Sequence, residues 1–125
     1  MSLANDLDAY LGANQTRARD ELYEFLRIPS VSARSEHNAD TARTADWVAE
    51  ALSKVGLTST VYPTKGHPIV VGEWREAKPG APTILVYGHY DVQPAEPLEL
   101  WDSPPFEPTL RDGKIFARGS VDDKG

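Results

Sequence analysis

Thr83-Ile84-Leu85-Val86-Tyr87 is an unbroken apolar and β-branched run that opens directly into Gly88-His89-Tyr90-Asp91. A turn, Glu76 to Pro82 with Lys78-Pro79-Gly80 at its middle, precedes it. Such a run, bounded by turn residues on one side and glycine on the other, has the pattern of a strand covered on both faces. It predicts the centre of a sheet. His89 and Asp91 would then emerge at the strand's carboxyl end, where ligands gather in open α/β sheets.

The flanking segments fit a layered α/β domain around that strand. Upstream, Leu7, Leu11, Leu22 and Leu26, with Tyr10, Tyr23 and Phe25, fall at helical spacings between Ala4 and Leu26. Gly12 and Asn14 weaken the middle, so the helix is expected whole or interrupted there. Arg27-Ile28-Pro29 ends it, because the residue before a proline is pushed out of the helical region, and Ser30 to Ala39 reads as a polar connecting loop. A second helix follows. Thr41 or Asp40 can cap it, Ala45, Val48, Ala49, Leu52 and Val55 form its apolar stripe, Trp47 broadens the buried face and Gly56 stops it. Thr58 to Tyr62 and Pro68 to Trp74 then read as two neighbouring strands about a Lys65-Gly66-His67-Pro68 turn.

Downstream, Val92 to Pro108 carries Pro94, Pro97, Pro104, Pro105 and Pro108 with Trp101 and Phe106 as anchors, which predicts an ordered loop rather than a linker. Thr109 to Ala117 reads as a hairpin whose Asp112-Gly113 pair supplies the positive-φ turn. It delivers the chain to Arg118-Gly119-Ser120-Val121-Asp122-Asp123-Lys124-Gly125. No internal repeat or low-complexity tract interrupts this order.

Composition narrows the function classes. A chain of 125 residues with 40% hydrophobic and 26% charged residues suits one modest globular domain or part of one. The net charge is −6 and no Lys/Arg cluster could track a phosphate backbone, so nucleic acid is not an expected partner. There is no cysteine, so any metal must be held by His and carboxylates. Met1 to Asp8 lacks the basic start and apolar run of a signal peptide, and Ile84 to Tyr87 is too short to span a bilayer. A cytoplasmic protein without a membrane partner is the expectation.

Two short patterns can carry chemistry. His89 and Asp91, two apart on an extended chain, put their side chains on the same side of the backbone. A neutral imidazole ligates zinc through one nitrogen while a carboxylate accepting the other N–H fixes its tautomer, so His89 would bind and Asp91 would orient. The second pattern is Asp122-Asp123, set between Gly119-Ser120 and Lys124-Gly125, where the backbone can turn tightly and present a carboxylate. Such a carboxylate can bridge two cations and offset their repulsion. Taken alone, each pattern reads better as something ordinary: a hydrogen-bonded histidine at a strand end, and a solvated Asp-Asp-Lys turn.

Together, and with their flanks, they resemble a known family. Tyr87-Gly88-His89-Tyr90-Asp91-Val92-Gln93-Pro94, Trp101-Asp102-Ser103-Pro104-Pro105-Phe106, Asp112-Gly113-Lys114-Ile115-Phe116-Ala117-Arg118-Gly119 and Asp122-Asp123-Lys124-Gly125 are similar to the di-zinc peptidases that include carnosine-type dipeptidases, aminoacylases and glutamate carboxypeptidases. The wording is closest to the dipeptidase branch. Arg27-Ile28-Pro29-Ser30-Val31-Ser32 looks like that family's opening loop, so the resemblance spans almost the whole chain.

The resemblance implies that residues 1–125 are the amino-terminal part of a catalytic domain in which helices pack on a mostly parallel sheet, the rest of that domain and any dimerisation domain lying beyond Gly125. It implies that His89 binds one of two Zn2+ (Co2+ or Mn2+ being alternatives), that Asp91 is the catalytic supporting carboxylate, and that Asp122 bridges both metals. Asp123 falls at the variable place of the motif. The family reaction is metal-assisted hydrolysis, in which a bridging water attacks the amide carbonyl while a downstream glutamate shuttles the proton. The remaining ligands also lie downstream in the family.

Dipeptides or short peptides are the substrates so implied, and a homodimer the assembly of the complete protein. N-acyl amino acid deacylation on the same centre and a non-catalytic truncated homologue are the competing readings. The chain by itself, with two metal ligands, is expected to be inactive, since each zinc needs at least three protein donors plus water. His37 and His67, in polar turns and matching no ligand of the family, are read as surface residues. Trp47, Trp74 and Trp101 read as packing residues, with Trp101 and Phe106 able to shape the loop near the metals.

Overall fold

The computed structural model describes residues 3–125. Met1 and Ser2, the start of the stretch read as lacking a signal peptide, lie outside the described residues. Helix α1 (Leu3–Leu26) is continuous. Gly12 and Asn14 do not break it, and the Asn14 side chain donates back to the Tyr10 carbonyl at 2.9 Å. Its amino-terminal half stands in solvent, Leu7, Tyr10 and Leu11 included, and it reaches the core only at its last turn, where Leu26 is fully buried. Arg27 N–H donates to Tyr23 O and Ile28 N–H to Phe25 O before Pro29 ends the helix as expected.

Helix α2 (Asn38–Lys54) begins two residues before Asp40, earlier than the sequence indicated. The cap position falls on His37, whose Nδ1 lies 2.9 Å from Asp40 Oδ2, while Asp40 sits in the first turn facing the positive end of the helix dipole. The buried threonines on this helix are satisfied internally: Thr41 donates to His37 O and Thr44 to Asp40 O. Phe25 and Trp47 stack with ring centroids 4.4 Å apart, joining the two helices and giving Trp47 its expected place. Val55, counted in the apolar stripe, lies just past the helix and is exposed, because the chain is already leaving through Gly56 at φ 91°. Gly56 N–H to Ser53 O and Leu57 N–H to Leu52 O close the paired bonds of a glycine-terminated helix end.

Strands β1 (Thr58–Tyr62) and β2 (Ile69–Glu73) pair antiparallel with Thr60 opposite Val71, and pack on α2. Gly72 lets them approach: a Cβ there would stand 2.9 Å from Leu52 Cδ1. Strands β3 (Thr109–Arg111) and β4 (Lys114–Phe116) form the expected second hairpin, its turn at Asp112 (φ 48°) and Gly113 (φ 75°). Trp101 anchors the proline-rich loop by donating to Ala95 O at 2.8 Å.

The α/β class holds, but three expectations are corrected. Residues 83–87 belong to neither sheet, and Ile84, Leu85, Val86 and Tyr87 are 84–91% exposed rather than covered on both faces. An apolar run has strand character only where partner strands meet it, and the described residues supply none beside it. The sheet order expected to be mostly parallel is, among the described residues, two antiparallel pairs. Finally, the loop read as polar and connecting is buried at its start. Ser30 and Val31 belong to the core with Leu26, Ile28, Ala45, Val92, Ala95 and Ala117.

That core is small, so single truncations in it weigh heavily. Leu26→Ala should lower the unfolding free energy by about 3 kcal/mol, within the usual range for a buried leucine, as read by urea denaturation with Trp47 fluorescence. A loss below about 1 kcal/mol would mean that the end of α1 is not a true core.

Candidate metal half-site

The loop 88–92 and the turn 119–124 meet over residues 28–32, which follow α1. Ser30 is fully buried and grips residues 90–92 twice: its hydroxyl donates to Tyr90 O at 2.7 Å, and its carbonyl accepts Val92 N–H at 2.9 Å. Ser32 donates its hydroxyl to Asp91 Oδ2 at 2.5 Å. The β1–β2 turn closes over the same place, with Tyr90 donating to Pro68 O and His67 Nε2 lying 3.0 Å from Ser32 O. His67, read as a surface residue remote from the motif, therefore touches the loop that holds Asp91. His37, read likewise, is half-buried at the start of α2.

On this platform the structure brings His89, Asp91 and Asp122 together. His89 Nδ1 faces Asp91, 3.1 Å from its carbonyl oxygen and 3.2 Å from Oδ1, while Nε2 faces Asp122 Oδ1 at 3.0 Å. Asp123 turns the other way, and its Oδ2 accepts the His89 backbone N–H at 3.2 Å. The Asp122–Asp123 peptide bond is cis. Among the described residues no three His, Asp or Glu side chains converge as a complete metal site.

Both ring nitrogens of His89 thus point at oxygen acceptors. A neutral imidazole carries one N–H and can satisfy only one of them. Satisfying both requires a second proton on the ring or, where the N–H is on Nδ1, a metal ion between Nε2 and Asp122. Burial pulls the His89 pKa down, but the bond to the Asp91 backbone and the charges of Asp91 and Asp122 outweigh it, and the net shift is upward. A zinc about 2.0 to 2.1 Å from each of two tetrahedrally disposed ligands holds them about 3.3 Å apart. The observed 3.0 Å separation is that of a hydrogen bond, while the donor set, an imidazole and carboxylates, is of the kind that zinc accepts.

Sequence reading missed Ser30, Ser32 and Lys124. The serines carried a faint signal, alternating through Ser30-Val31-Ser32 as a strand-like pair would. Lys124 carried none: it read as part of a solvated turn, yet it is 8% exposed. Its Nζ donates to Phe25 O at 2.9 Å and Ile28 O at 2.8 Å, and burial lowers its pKa to about 8, with Asp91 pulling the other way.

Comparison with known proteins points in one direction. Residues 85–125 match the model for Peptidase family M20/M25/M40. The chain is 36% identical over 115 residues to a cysteinylglycine-S-conjugate dipeptidase of Corynebacterium striatum, covering 92% of this chain and 25% of that protein. It is 39% identical over 100 residues to a succinyl-diaminopimelate desuccinylase of Aromatoleum aromaticum, covering 80% of this chain and 25% of that protein. Human carnosine dipeptidase 1 superposes with a TM-score of 0.89 at 25% identity, covering 99% of this chain and 28% of the solved one. The chain spans about a quarter of the length of the curated relatives it matches.

The electrostatics make a pH prediction. The His89 pKa is raised on folding, so the stabilisation from its contacts is complete below the unfolded histidine value near 6.5 and is lost as pH rises through the folded value. NMR titration should place the His89 midpoint above 6.5, and Asp122→Asn should move it down. An unshifted midpoint would show that the two carboxylates do not face the ring in solution.

Proposed function

We propose that this chain is the amino-terminal segment of the catalytic domain of a metal-dependent dipeptidase, contributing one histidine ligand and the bridging carboxylate to a two-zinc centre. The observation that carries the proposal is the geometry at His89: Asp91 on one ring nitrogen and Asp122 on the other. The family match over residues 85–125 and the dipeptidase relatives support it.

In this reading His89 Nε2 and Asp122 would hold metal. Asp91, fixed by Ser32, keeps the His89 proton on Nδ1 so that the Nε2 lone pair is free to ligate. Asp123 acts through its bond to the His89 backbone and needs no metal contact. When bound, the two metals would polarise the scissile amide and acidify water. The general-acid/base glutamate and the other ligands are assigned to sequence beyond Gly125. Peptides of dipeptide size are the substrates this reading favours, and a dimer is the assembly proposed for the whole protein.

A second reading keeps the centre and changes the substrate. The likeness to succinyl-diaminopimelate desuccinylases favours hydrolysis of an N-acyl amino acid, which breaks the same amide bond.

The polypeptide extended through its downstream coding sequence should hydrolyse Cys-Gly or carnosine faster than N-succinyl amino acids. His89→Ala or Asp122→Ala should each lower kcat about a thousandfold, as loss of several kcal/mol of metal-borne stabilisation requires. Residues 1–125 alone should show no turnover with added Zn2+. Preference for the succinylated substrate would favour the deacylase reading, and metal-dependent turnover by the chain alone would overturn the half-site.

A further inference from the structure

Lys124 has an environment that its place in a turn of small and acidic residues does not explain. Lysine is almost never buried without a partner. Here the hydrogen-bond partners of the ammonium are two main-chain carbonyls, Phe25 O and Ile28 O, and the Phe25 ring lies 4.7 Å from Nζ. Phe25 O belongs to the last turn of α1, the negative pole of the helix, where a cation is favoured, and Ile28 O lies two residues past the helix end.

Asp122 is the reverse case. Its side chain is 72% exposed, and the contact it makes is with His89. Packing around the carboxylate therefore does not set its place; the backbone of residues 119–124 does. That backbone is fastened at three points, one of them the Asp123 carboxylate that accepts the His89 backbone N–H at 3.2 Å. At Gly119, with φ 88°, a Cβ would stand 2.7 Å from Val92 Cγ1, so the turn lies hard against the loop that carries His89. At the other end Lys124 N–H closes the turn on Gly119 O at 3.0 Å, and its side chain passes down into the end of α1.

We propose that Lys124 is a positioning residue of the half-site: its buried ammonium, bonded to the Phe25 and Ile28 carbonyls, holds the 119–124 turn so that Asp122 stands opposite His89. The inference rests on the reading of His89 and Asp122 as metal ligands, yet it can fail or succeed separately from it. Removing the ammonium frees the far end of the turn, and Asp122, with no packing of its own, loses register with the imidazole.

The test is NMR on the 125-residue chain. In the metal-free protein, NOEs between the His89 ring protons and Asp122 Hβ report the juxtaposition directly. Titration with Mn2+ then reads the broadening of the His89 and Asp122 amide signals. The unsubstituted chain should show the NOEs, and both amides should broaden together. Lys124→Met should abolish the NOEs and raise the Mn2+ concentration that half-broadens Asp122 about tenfold, the low end for loss of a supporting contact, while the β1–β2 amide shifts stay in place. Lys124→Gln, able to reach one carbonyl at most, should give a smaller loss and serves where the methionine variant does not fold. Retention of the NOEs in either folded variant overturns the proposal, as does their absence from the unsubstituted chain. NOEs that depend on Lys124, without broadening by Mn2+ at any concentration, uphold the positioning and count against metal binding by this pair in the 125-residue chain.

Discussion

A helix that ends inside a protein leaves its last carbonyls without donors, and they must be satisfied on the spot. Helix α1 meets this constraint where Pro29 stops it, and the rest of the site is built from the answer. Phe25 O and Ile28 O take their charged donor from Lys124, a residue 96 positions beyond Ile28. The chain just past the helix then turns its own groups outward to the next loop, Ser30 to Tyr90 and Val92, Ser32 to Asp91. Both halves of the pair that faces His89 are thus secured against one eight-residue stretch, residues 25–32. Its buried position, with Leu26, Ile28 and Val31 around it, keeps those bonds away from competing water.

The hierarchy of stiffness follows from that arrangement. Asp91 is held directly through its side chain, so His89 has a fixed partner on Nδ1. Asp122 is held only through the backbone that carries it, and its carboxylate stays open to solvent. A carboxylate meant to accept further partners has reason to be placed in this way, since side-chain packing around it would occupy the directions that a cation or a second ligand needs.

What could be read from the sequence follows the range of the interactions concerned. Helix α2 and the two hairpins are local: their periodicity, Gly56 and the Asp112-Gly113 pair act over a few residues and carry their own instructions. His89, Asp91 and Asp122 were legible as a set through the motifs that flank them. Ser32, His67 and Lys124 were not, because each acts on a group 35 to 99 residues away, and nothing near Lys124 marks it as a buried cation. Residues 83–87 failed for the opposite reason. Their composition records a demand for burial, but whether it is met depends on strands that composition does not specify.

The exposed segment from Ile84 to Tyr87 also sets how the chain behaves in company. It carries no charge, its side chains are open to solvent, and it joins neither sheet, so its backbone is free to accept an extended strand along an edge. Pro82 blocks only its entrance. Pairing with another molecule through such an edge is bimolecular, so doubling the protein concentration quadruples the rate of encounter. Where such pairing occurs, dilution sets the lifetime of the solitary molecule alongside the stability of its own small core.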